Sequence, residues 1–71
     1  MNVESVLAEI AETDGADARI ELWDKSGHKQ YESIAGYGVP GPFVLRKVLD
    51  YAPQWRGWWI FKRKVWVLYI G

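Results

Sequence analysis

The chain has no cysteine and a single histidine, His28, among its 71 residues. A disulfide framework is therefore impossible, and a Cys/His zinc site cannot be assembled. Long apolar runs are missing as well. The longest, Val65 to Ile70, falls far below the roughly 18 residues that a helical membrane span requires. The opening residues, MNVESVLAEI, lack the basic start and apolar middle of a secretory signal, so a cytoplasmic protein with no membrane partner is expected. Acids are scarce in the second half: residues 36–71 hold one acid and six bases (net −1 + 6 = +5), whereas residues 1–35 hold eight acids and three bases (net −8 + 3 = −5). The halves cancel to zero, which makes nucleic acid a less favoured partner than protein.

Aromatic bulk is what the chain has in quantity: five Trp, four Tyr and two Phe. Each such side chain can bury roughly 150–250 Å², enough to dominate a core or an interface. A domain of this size folds with a margin of only about 3–5 kcal/mol unless something staples it, so these residues must serve one role or the other.

The spacing predicts an α+β fold of order αββαββ over residues 1–71, with two helices packed on a mainly antiparallel four-stranded sheet. Val3, Val6, Leu7 and Ile10 recur at the interval of one helical stripe. With Asn2 as N-cap and Gly15 as the stop, they define a helix over 2–13. Ala18, Ile20 and Leu22 alternate with Arg19, Glu21 and Trp23 as in a half-buried strand. Asp24-Lys25-Ser26-Gly27 is a turn, so residues 18–34 form a hairpin with Trp23 opposite Lys29 and Tyr31 diagonal to Trp23 on the helix-free face. A Gly/Pro loop covers 35–42. The stripe Val44, Leu45, Val48, Leu49 and Ala52 then predicts a second helix over 43–52, with Pro42 in its first turn. A second hairpin over 55–70 pairs Trp58–Phe61 with Val65–Ile70 around a Lys62-Arg63-Lys64 turn.

The last two strands do not alternate. Trp66, Leu68 and Ile70 share one face of the final strand while Val65, Val67 and Tyr69 share the other, and both sets are apolar. Two short helices cover one face, so the other is expected to expose an apolar patch, the usual mark of a partner or of a second copy of the chain. The candidate partner-binding residues are Trp23, Tyr31, Trp55, Arg56, Trp59, Arg63, Lys64, Trp66 and Tyr69. No catalytic, cofactor or metal residues are assigned.

Other patterns carry less. Trp55-Arg56 and Lys62-Arg63-Lys64 interleave rings with cations, the ingredients of a single-stranded nucleic-acid platform, but no recognition signature accompanies them. Glu4, Glu9, Glu12, Asp14 and Asp17 read as a solvated helix face rather than a metal cluster. His28 with Asp24 beside it is the minimum of a general-base pair. A helix, a hairpin holding Gly27-His28 and a second helix resemble, over residues 3–52, the HicA-type toxins, and that resemblance implies a small ribonuclease using His28. The sequence departs from that pattern in the Gly15-to-His28 spacing and in its aromatic C-terminal hairpin.

The reading these observations favour is a non-enzymatic module that binds a larger protein or complex. Small chains without enzymatic motifs are common among inhibitors encoded by phages and mobile elements, including anti-CRISPR proteins, which would place this one in the host cytoplasm. A homodimer using the same patch is the competing association.

Overall fold

The computed structural model describes residues 1–71. Helix α1 (Val3–Asp14) precedes strands β1 (Arg19–Asp24) and β2 (Lys29–Ile34). A one-turn helix α2 (Gly41–Val44) then leads to strands β3 (Val48–Arg56) and β4 (Arg63–Ile70). The α+β class and the order αββαββ are those the sequence predicts. In the sheet the order is β2-β1-β4-β3. β1 pairs antiparallel with β2 and parallel with β4, and β4 pairs antiparallel with β3.

α1 forms where its stripe requires. The Asn2 side chain accepts the Ser5 backbone N–H at 2.9 Å, and Gly15, at φ 96°, ends the helix. Val3, Val6, Leu7 and Ile10 then pack on Ile20 and Leu22 of β1, Leu68 and Ile70 of β4 and Val48 of β3. The molecule measures 36 × 28 × 17 Å, and the short dimension is that of one helical layer on one sheet. No helix is long and apolar enough to cross a membrane.

Residues 43–52 do not form the predicted helix. Pro42 does sit in the first turn of α2, but the helix ends at Val44 and the chain is extended from Val48 to Arg56. Leu45 and Leu49, two members of the supposed buried stripe, are exposed. Helical spacing loses here to backbone pairing: as a strand, this segment satisfies the free edge of β4 along a whole ladder, which a helix could not do. Pro53 is tolerated inside β3 because β3 is an edge strand.

The predicted strand at 58–61 is instead a 3-10 turn, Trp59–Phe61, at the apex of the β3–β4 hairpin. Arg63 and Lys64, assigned from sequence to the turn, begin β4. Gly57 (φ 102°) and Trp59 (φ 53°) reverse the chain through the left-handed region, and a Cβ on Gly57 would lie 2.5 Å from the Phe61 carbonyl oxygen.

The first hairpin closes through Gly27 at φ 90°, with Trp23 opposite Lys29 as predicted. A bulge between Leu22 and Trp23 shifts the register, so Tyr31 lies opposite Leu22, not diagonal to Trp23. Tyr31 is thereby carried to the α1 side, where its ring is 6.0 Å from that of Phe43.

The expected apolar patch on the helix-free face is also absent in the form predicted. Val65 and Val67 point away from α1, yet are only 4% and 1% exposed. β4 is central, and Arg56 of β3 reaches Glu21 of β1 at 2.7 Å. β4 lies between the strands that carry them, so this ion pair passes over it and roofs the two short valines.

Candidate docking surface

The nine residues singled out from sequence do not share one surface. Trp23, Arg56, Arg63 and Tyr69 lie on the helix-free face; Tyr31, Trp55, Lys64 and Trp66 follow the α1-facing register; Trp59 belongs to the apex. Trp23 and Tyr69 are cross-strand partners, both half-buried, and the Trp23 indole donates to Glu21 Oε1 at 2.9 Å. Arg56 donates to Glu21 Oε2, so Glu21, 6% exposed, is neutralised and doubly hydrogen-bonded.

Trp66 is a structural residue rather than an exposed anchor. It is half-buried, its ring lies 6.0 Å from that of Tyr51, and its Nε1 donates to Asp14 Oδ2 at 2.7 Å. Lys64 Nζ is 2.7 Å from the same carboxylate oxygen and 5.0 Å from the Trp66 ring centroid. The hydrogen bonds from Lys64 and then Trp66 favour the charged form and hold the Asp14 carboxyl below its ordinary value. These contacts tie the end of α1 to β4 and engage Lys64, which sequence had assigned to a binding rim.

The exposed surface lies at the apex. Trp58, Trp59, Ile60 and Phe61 are 70%, 73%, 72% and 61% exposed, and Trp55 at the end of β3 is 66% exposed. The only ring contact among them is Trp58 with Phe61, at 5.9 Å. Five large apolar side chains in one stretch of seven residues exceed what a surface ordinarily carries singly. Lys62 and Arg63, which follow them, form no ion pair. Trp58, Ile60 and Phe61 were missed as site residues because four consecutive apolar residues read as a buried strand. Gly57 before the run and Lys62 after it are the local signals of an apolar hairpin tip.

The histidine cluster is a turn motif. Asp24 accepts the backbone N–H groups of Ser26 (3.0 Å) and His28 (2.9 Å) and the Ser26 hydroxyl (2.7 Å). Led by the His28 backbone bond, these lower the Asp24 pKa to about 2. Ser26 Oγ is 2.9 Å from His28 Nδ1, but the His28 side chain is 77% exposed and lines no groove. The second helix on which the toxin resemblance depends is a strand from Val48 onward. Tyr37, Gly38 and Val39 of the Gly/Pro loop line a mainly apolar groove against α1.

No protein-family model, curated protein or solved structure matches this chain.

Proposed function

We propose that this domain is a non-enzymatic protein-binding module, an inhibitor or accessory protein, that anchors to a larger protein by seating its β3–β4 apex in an apolar recess. The observation that carries the reading is the run Trp58–Phe61, at least 61% exposed at every position, above an exposed Trp55. Trp is among the residue types that most often supply the central anchors of interfaces, and the consecutive exposure of these rings suits a concave acceptor better than a flat one.

Magnitudes support an anchor of this size. Five such side chains, each offering roughly 100–150 Å² of exposed surface, would bury on the order of 500–750 Å², or about 12–19 kcal/mol gross at ~25 cal/mol per Å². Association costs an estimated 4–15 kcal/mol, so the apex would dominate affinity but needs a surrounding rim. Lys62 and Arg63, free of carboxylate partners, stand where such a rim would lie.

Affinity capture with the wild-type chain and with W58S/W59S/F61S, followed by reconstitution with the purified captured protein, tests the proposal. A partner held by the wild type and lost by the variant supports it; equal retention overturns it. Binding of the apex to single-stranded oligonucleotide or to anionic vesicles, with no protein partner, would overturn it equally. So would a homodimer that buries the apex.

A further inference from the structure

A groove of about 550 Å³ lies on the helix-free face at the root of the apex, lined by Arg19, Arg56 and Arg63 together with Glu21, Glu32 and Tyr37. Its volume falls within the usual range for small-ligand sites, roughly 300–1,000 Å³. Arg56 and Arg63 are directly opposite one another across β3 and β4, a like-charge pair that is destabilising unless an anion intervenes. Glu21 neutralises Arg56 alone, and Glu32 is paired with Lys29 outside the groove, 3.2 Å away. Arg19 and Arg63 remain with no ion pair. Arg19 is the cross-strand partner of Val65, which puts it on the same face as Arg63 and one strand over, roughly 8 Å away by ordinary strand spacing. Two unmatched guanidinium groups thus flank an Arg-Glu pair that is already satisfied.

The walls add a second requirement. Ile34 is apolar and half-buried, Tyr37 is 84% exposed, and Val65, only 4% exposed, is floor beneath the Arg56–Glu21 pair. We infer that this groove binds a phosphate monoester carried on a flat organic ring, the phosphate between Arg19 and Arg63 and the ring against Tyr37 and Ile34. Guanidinium forks match the oxygens of a phosphate in pairs, which a lysine cannot do. The groove opens on the helix-free face; it shares Arg63 with the rim described above, whereas Arg19 and Tyr37 belong to the groove alone.

Titration of the isotopically labelled chain with inorganic phosphate, phenyl phosphate and adenosine monophosphate, followed by amide shifts, tests it. The expected result is saturable shifts at Arg19, Tyr37, Arg63 and Val65, with a ring-bearing ester binding at least about tenfold more tightly than inorganic phosphate. The tighter of the two esters identifies an aryl phosphate or a nucleotide as the source. R19A and R63A should each weaken binding by about tenfold while leaving the free spectrum folded, one charge-assisted bond apiece. R63K separates fork from charge: near wild-type affinity in that variant would overturn the site. Unchanged affinity in R19A and R63A would overturn it as well, as would equal binding by unphosphorylated adenosine or shifts confined to the apex.

Discussion

Arg56 and Glu21 meet at 2.7 Å across the central strand, one from β3 and the other from β1, with β4 running beneath them. The pair converts a sheet face that no helix covers into one whose middle is dry, and it requires a buried carboxylate that also accepts the Trp23 indole. Removing one partner strands the other, so Glu21→Ala is expected to cost about 1–3 kcal/mol. Glu21→Gln, which keeps an acceptor for Trp23, should cost less. Urea denaturation reads both, and the double variant E21A/R56M should recover part of the loss, because neither charge is then left alone.

Core and apex should respond unequally to truncation. Leu68 is fully buried between Leu22 and Tyr51, and Leu68→Ala should destabilise by about 2–5 kcal/mol. Trp58→Ser and Phe61→Ser, at exposed positions, should stay within about 0.5 kcal/mol of wild type. A large thermal destabilisation from the serine variants would mean that the apex supports the fold rather than a partner.

The apex turn depends on Gly57. At φ 102°, and with only 2.5 Å between the position a Cβ would take and the Phe61 carbonyl oxygen, Gly57→Ala must rebuild the turn and should cost at least about 1–3 kcal/mol. Trp59→Gly, at φ 53°, relaxes a strained residue and should leave stability unchanged or raise it by up to about 1 kcal/mol. Paired melting curves decide between these signs.

Stability should fall with acid in a defined window. Asp24, lowered to about 2, and Asp14, lowered by Lys64 and Trp66, are both depressed below the ordinary value of 3.8. Their contribution is complete above that value and is lost as pH drops through the folded pKa. Asp14→Asn and Asp24→Asn should flatten the acid limb of a stability–pH curve. Tyr51 behaves in the reverse sense: the hydrogen bond to Glu9 raises its pKa above 10.0, so its contribution holds below that value and disappears as pH rises through the folded one. Tyr51→Phe should remove that alkaline component.

The Asp24 turn and the histidine beside it should separate on substitution. Asp24 also accepts from Gln30 Nε2 at 2.8 Å, so Asp24→Ala loosens the whole hairpin end, whereas His28→Ala should change stability by no more than about 0.5 kcal/mol. Ribonuclease activity in the wild type that disappeared in His28→Ala would contradict the non-enzymatic reading.

Much of the local structure was legible. α1 could be located from its stripe, its cap and Gly15, because all three depend on residues within a few positions of one another. The Asp24–Gly27 turn was equally local. Segment 48–56 was not, because Val48, Leu49 and Ala52 fit a helical period and the choice was made by β4, which follows in sequence. The site was half legible: an excess of aromatic surface near the C-terminus could be read, but its position could not. Trp66 and Trp59 are the same residue type, and what separates them is long-range: Asp14, 52 positions away, and Tyr51 supply Trp66 with partners that Trp59 lacks.

By itself the sequence determined the α+β class, the order of elements, the first helix, the parity of β4 and the absence of thiol chemistry, since these follow from short-range periodicity and composition. Only the tertiary structure decided which face of the sheet is dry, which arginines lack carboxylates and which tryptophans meet solvent. Those outcomes depend on strand order, and strand order is fixed by side chains and backbone groups far apart in the chain finding one another.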